Sequence, residues 1–251
     1  MASEVKTNKL SPSTGTDVTL GDASDTFTIP ASATLDVNGT IDLTGATKTG
    51  FPAGGLAGVQ VYTSGGTWTK ATRATALGVT ITKVIVEVQG GGAGGARDAT
   101  GTDQIGGSAG GYAKKLLDVT GVTASTISIG AAGAGATGDN TAGADGGDSS
   151  WVDSVNTDVI GVKGVGGNTA STRTIGGLGT GGDINIQGGN GGKQINMYGG
   201  SSQFGNGGGN WSAVASQNDA TGYGAGGGSM ETSGGNGGAG TPGIVVVWEY
   251  Q

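Results

Sequence analysis

Three aspartates, Asp139, Asp145 and Asp148, and the stretch GAGATG at Gly133–Gly138 come nearest to familiar chemistry in this sequence. Clustered carboxylates can hold a hard cation, but calcium takes six to eight oxygens from a loop of fixed spacing. Neither the EF-hand pattern nor the glycine–aspartate nonapeptide is present, so the aspartates are expected to be solvated turn residues. GAGATG fits G-x-G-x-x-G and follows the strand-like TISI, yet a dinucleotide site needs a helix next. The segment that follows, DNTAGADGGDSS, is a poor helix former. The chain has no histidine and no cysteine, which removes the commonest general base and every thiol nucleophile. Paired carboxylates of the glycosidase kind are not bracketed by any recognisable pattern. The expectation is a protein that is not an enzyme, with no cofactor and no metal site.

Binding is a different matter. Exposed aromatic rings beside polar turns offer large, rigid contact area at small entropy cost. Such rings occur in VDSVNTDVIGVK and the Trp151 before it, in KQINMYGGSSQFG with Tyr198 and Phe204, and in GNWSAVASQNDATGYG with Trp211 and Tyr223. Trp211, amid Asn, Ser and Gly, is the foremost surface candidate. Trp151 and Phe204 fit a core position as well as a binding one. The five together are the candidate receptor-binding residues.

The elements that must position them are set by glycine, 59 of 251 residues. Eleven precede position 90 and the other 48 fall within Gly90–Gly243. Collagen needs glycine at every third position, and runs such as KKLLDV break any such period. Two ordered arrangements remain open. Without Cβ, glycine lets backbones approach closely, so short three-residue-per-turn helices could stack side by side and bond to one another; alternatively, glycine-rich loops decorate a β-sandwich. Rods are the expected arrangement. Around this region stand two strong strand patterns, TITKVIVEVQ before it and IVVVWEY after it. Their simplest arrangement is as neighbours in one sheet, the last strand clasping shut a long insertion. The stretch VQVYTSGGTWTK has the alternation and turn residues of a hairpin. No segment shows helical periodicity; AKKLLDV comes nearest and is too short.

Residues 1–50 carry apolar pairs at alternating positions, such as Val18 and Leu20 or Phe27 and Ile29, the period of strands. Two core residues per strand bury too little to offset chain ordering. The segment fits an intertwined β-segment of a homotrimer or an arm on a partner protein, and the first is preferred. The expected fold is therefore all-β, with residues 1–50 for trimerisation and attachment and 51–251 as a glycine-rich β domain. Net charge is −7 with no basic patch, which argues against nucleic-acid binding.

The order YTSGGTWTK, TKVIVEVQGGGAGG, GGSAGGYA, STISIGAAGAG, GGDINIQGG, GGSSQFG, GYGAGGGS and GTPGIVVVWEY resembles the glycine-rich terminal domain of bacteriophage tail fibres over roughly residues 50–251. The opening DVTLGDASDTFTIPASATLDVNGT is similar to repeats in marine-phage fibre proteins. A more distant likeness is to the distal adhesin of T-even-like phages, in which glycine-rich rods carry variable loops. The resemblance implies a homotrimeric virion protein. It would join other tail proteins through its N-terminal segment and attach to a host surface polysaccharide or outer-membrane protein. A purely structural connector or head fibre, and an ice-binding glycine-rod protein, are the alternative functions.

Overall fold

The computed structural model describes residues 55–98, 104–170, 172–193, 198–209, 218–230 and 235–251. All of them belong to one unit spanning Pro52–Gln251; the expectations for residues 1–50 lie outside the described residues. The described chain is mostly β-sheet with one short helix.

Among the described residues twelve strands run in chain order: β1 Leu56–Tyr62, β2 Gly66–Thr69, β3 Lys83–Gln89, β4 Tyr112–Asp118, β5 Ala124–Ser128, β6 Ser149–Asp153, β7 Val159–Gly161, β8 Gly179–Thr180, β9 Ile184–Ile186, β10 Phe204–Asn206, β11 Thr221–Tyr223 and β12 Ile244–Tyr250. They form a first sheet in the order β1-β12-β3-β4-β9, a second in the order β2-β5-β6-β7-β8, and the hairpin β10-β11. The two five-stranded sheets enclose one core. Alternation along each strand assigns the faces: Val84, Val86 and Val88 of β3 and Val245 and Val247 of β12 point inward, against Ile127, Val159 and the paired indoles of Trp68 and Trp151. Those two rings lie 5.4 Å apart at 50°, a tilted geometry that aromatic pairs favour.

The terminal strand does pair with β3. It lies antiparallel between β3 and β1, with Val247 opposite Val86 and Val245 opposite Val88. Two local expectations fail. β1 and β2 do not form a hairpin: Ser64–Gly65 carries the chain from the first sheet to the second, where β2 pairs with β5. The indole of Trp68 then reaches the core between the sheets, which a flat hairpin could not provide. A helix, α1, spans Lys70–Leu77, where none was expected, and AKKLLDV is strand β4. α1 buries no residue, so it has no apolar periodicity to read. It forms because Lys, Ala, Arg and Leu are good helix formers and because Gly78, at φ 67°, closes it in the left-handed region. Lys70 Nζ also ties it to the carbonyls of Val119 and Thr120, at 2.8 and 2.7 Å.

The glycine-rich chain begins where β3 ends. Gly90, Ala93 and Ala96 donate to Gly111, Ser108 and Ile105; Gly91, Gly94 and Arg97 donate to Gly147, Ala144 and Thr141; Gly92 and Gly95 donate to Thr241 and Gly238. Bonds to a given neighbour thus recur every third residue. The carbonyls of the same stretch accept from three further segments, through Gly133 and Ala136, Gly164 and Gly167, and Gly227 and Met230. Six segments surround one, and the backbone groups bond between segments rather than along the chain. Side chains have no room here: a Cβ on Gly92 would lie 1.9 Å from the Ala225 carbonyl oxygen.

Candidate functional site

Where the glycine segments meet the first sheet, β3 and β4 end at Gln89 and Tyr112, which stand opposite each other. Ile186 of β9 continues that row. The hairpin β10-β11 lies alongside, with Phe204 directly opposite Tyr223, so both rings project from one face of it. Phe204 packs on Tyr112 at 5.8 Å and 59°. Between these parts is a cleft of about 170 Å³ lined by Gln89, Gly110, Tyr112, Ile186, Gln187, Gly188 and Ser201 to Gln203. That is below the roughly 300–1,000 Å³ of sites for drug-sized ligands, and suits one small polar moiety of a larger surface.

The cleft is rigid. Gln89 is fully buried; its amide donates to the Gly110 carbonyl at 2.8 Å and its oxygen accepts from Gln203 N at 3.3 Å. Gly224 makes this possible. At φ 75° it turns the chain, and a Cβ there would lie 2.5 Å from Gln89 Cγ. The Ser202 hydroxyl donates to the Tyr223 carbonyl and accepts from Phe204 N at 3.2 Å, which fixes the hairpin's entry. Burial, followed by the nearby Glu87 carboxylate to which it is hydrogen-bonded, pushes the Tyr112 phenol up to about 12. It therefore remains a protonated donor at physiological pH. Glu87 also receives Lys114 Nζ at 2.7 Å. Amides, hydroxyls and a ring edge line the cleft, a set that hydrogen-bonds neutral polar ligands.

The expected binding residues separate in this geometry. Phe204 and Tyr223 come together on the hairpin beside the cleft, both partly exposed, and neither lines it. Tyr198 is exposed, its carbonyl accepting from Gly192 N at 2.8 Å. Trp151 is fully buried beside Trp68 and offers a ligand no surface; its indole donates to Asp153 at 2.9 Å. Its position in SSWVD, inward on a strand of alternating burial, explains why. Trp211 lies outside the described residues. Tyr112, Gln89 and Gln203 were not anticipated. The available signal was that Gln89 and Tyr112 are the last and first strand residues against glycine runs, where β3 and β4 meet the glycine-rich region.

The carboxylates singled out by spacing have structural partners. Asp145 accepts from Gly166 N at 2.8 Å and pairs with Lys163 at 2.9 Å. The Gly166 bond, then Lys163, holds its pKa below the ordinary carboxylate value. Asp148 accepts from Lys163 N at 2.7 Å and Asp139 from Asn140 N at 3.1 Å. Among the described residues no three acidic side chains cluster as a metal site would require. GAGATG runs within the glycine segments, with Gly133 N bonded to Gly92 O and Ala136 N to Gly95 O, and no helix follows it. No protein-family model matches the chain, and no curated protein matches it either.

Proposed function

We propose that this chain is a non-enzymatic receptor-binding protein of a bacteriophage tail fibre. In this reading residues 1–50 trimerise and join the virion's other tail proteins, and the glycine-rich domain presents binding residues to the host surface. Its glycine segments act as polyglycine-II-like rods, three residues per turn. The observation that carries the reading is the cleft lined by Gln89, Tyr112, Gln187 and Gln203, with the Phe204–Tyr223 pair beside it: a ring and amides held on a backbone lattice that leaves them little freedom to lose on binding. The ligand is a host surface polysaccharide or outer-membrane protein; the neutral, hydroxyl- and amide-rich lining favours the first.

The test is competition. Soluble protein should block adsorption of a phage that carries it, and Phe204→Ala and Tyr223→Ala should each weaken that block about tenfold or more, the loss of roughly 1.4 kcal/mol or more of contact energy. Tyr198→Ala and Trp211→Ala belong in the same series. No competition by the wild-type protein would leave a purely structural virion component as the better reading, and competition unaffected by all four variants would overturn the assignment of these rings as the binding residues.

A further inference from the structure

What the cleft will accept depends on which of its polar groups the fold already uses. Gln89 is occupied: its amide donates to the Gly110 and Gly111 carbonyls at 2.8 and 3.2 Å, and its oxygen takes Gln203 N at 3.3 Å. The Ser202 hydroxyl is occupied too, donating to the Tyr223 carbonyl and accepting from Phe204 N.

The groups left for a ligand lie on Tyr112, Gln187, Ser201 and Gln203. Glu87 and Gln89 are two apart on β3 and share a face. Tyr112, opposite Gln89, is therefore a diagonal neighbour of Glu87 on that face. The hydrogen bond between them uses the phenol's only hydrogen, because an ionised carboxylate can only accept. Tyr112 thus turns an accepting oxygen toward the ligand. Gln187 donates to the Gly176 carbonyl at 3.2 Å, which orients its amide and leaves the oxygen as an acceptor. Ser201 Oγ accepts from Gly207 N at 3.2 Å and keeps its hydrogen to donate. Gln203 is exposed, and its amide can do both.

Charge narrows the ligand further. No residue lining the cleft is charged. Lys114, the base opposite Glu87, is already paired with it at 2.7 Å. An anion entering here exchanges water for neutral donors only, close to a carboxylate. A cation meets a carboxylate already balanced. Either loses hydration with no opposite charge in return. An apolar ligand strands the Tyr112 and Gln187 oxygens without donors. Yet one wall is apolar: Ile186, at the sheet edge, is 42% exposed. The ligand must therefore bring several hydroxyl donors on one edge and a C–H surface on another, with no charge. The 170 Å³ of the cleft equal the volume of about six waters, which limits the guest to one small ring.

We infer that the cleft takes one neutral pyranose unit, held through its hydroxyls by Tyr112 and Gln187, and rejects sugars that carry a carboxylate. That this unit belongs to a host polysaccharide rests on the receptor reading above; the selectivity rests on the cleft alone. Gln203 is the position at which the exclusion can be reversed. Its side chain is exposed and lines the cleft, so an arginine there would supply the missing positive charge and a fork that matches a carboxylate.

The test is a glycan array probed with the full-length chain, its spots ending in neutral hexoses, uronates or sialates. The wild-type protein should bind a subset of the neutral-hexose spots and no carboxylate-terminated one. Tyr112→Phe keeps the ring and removes the acceptor, and should weaken that binding about tenfold. Gln187→Met, a second variant of similar bulk, should weaken it likewise; circular dichroism checks both folds. Gln203→Arg should gain binding to uronate spots, an effect that loss of a merely structural contact could not produce. Wild-type binding to carboxylate-terminated spots, neutral binding unchanged in Tyr112→Phe and Gln187→Met, or no gain in Gln203→Arg overturns the inference. An array with no spot bound overturns it too; if the protein still blocks phage adsorption, the receptor reading survives with an outer-membrane protein as ligand. Neutral-sugar binding by a protein that blocks no adsorption would keep the inference and sink the receptor reading, so the two fail separately.

Discussion

Glu249 is a single side chain whose loss should be costly to this domain. It sits on β12, fully buried, and points into the sandwich. Its carboxylate accepts from the Trp68 indole at 2.7 Å and from Arg73 Nε and Nη2 at 2.8 and 2.7 Å. One side chain thus joins the last strand to the second sheet and to α1. The site is tight, since a Cβ on Gly58 would lie 2.8 Å from Glu249 Oε2. Glu249→Ala strands two donors. Breaking a buried ion pair costs about 3–5 kcal/mol, but the Arg73 side chain is 18% exposed and can turn to water, which places the ion-pair loss near 3. The buried indole N–H, left without an acceptor, adds about 1 kcal/mol. The expected total is about 3–4 kcal/mol, or a fall in Tm of about 6–16 °C for a domain of this size. Urea denaturation gives the first number and calorimetry the second. Because both variants break the same pair, Arg73→Ala combined with Glu249→Ala should cost clearly less than the sum of the two alone. A Glu249→Ala loss below 1 kcal/mol, or simple additivity, would refute the view that this carboxylate ties three elements together.

The glycine lattice predicts a sharp contrast: Gly92→Ala, whose Cβ would lie 1.9 Å from backbone, should cost more than 3 kcal/mol or prevent folding, while Gly121→Ala, nearest atom 3.8 Å, should stay within about 0.5. Soluble yield and Tm of the pair check it. Asp153 accepts from Trp151 Nε1 and from Val155 and Asn156 N–H at 2.9, 2.8 and 2.7 Å. Burial raises its pKa, but these bonds outweigh burial and hold it below the ordinary 3.8. It therefore stabilises the fold above that pH and ceases to as pH falls through the lowered value, so Asp153→Asn should flatten the acid limb of a stability–pH curve. Tyr112 has the opposite sign. Its phenol is raised from 10.0 to about 12, so its contribution is intact below pH 10 and is lost as pH rises through about 12; Tyr112→Phe should remove that part of the alkaline loss, read by urea titration at pH 9 to 12.

Much of the sandwich was legible because strand signals are local. Val84, Val86 and Val88 alternate, and the pairing of the two best strands followed from where the glycines start and stop. The helix was not legible, because α1 is held by Arg73 and Lys70 reaching polar partners far along the chain and not by an apolar stripe. The Ser64–Gly65 turn reads the same whether it closes a hairpin or passes between sheets; only the burial of Trp68 decides it. For the site, Phe204 and Tyr223 could be marked as rings near polar turns, but their pairing spans a segment with no strand signal. Tyr112 and Gln89 become site residues only once distant glycine segments pack beside them.

Glycine segments so uniform in sequence offer little of their own to fix their register. The junction with the sheet fixes it. In β3 and β12 the faces alternate with period two, so a one-residue slip of either strand would turn its core valines outward. In the segment that follows Gln89, the bonding neighbour changes at every residue and returns at every third, as Gly90, Ala93 and Ala96 show with one partner segment and Gly91, Gly94 and Arg97 with another. A slip that keeps both patterns must be a multiple of two and of three. Six residues is nearly the whole of β12, Ile244–Tyr250, and would leave almost no pairing with β3. The register Ile244 to Gln89 is therefore locked by the disagreement of two periods, each weak alone. Paired in this register, β12 fixes the phase of the glycine segments between it and β3.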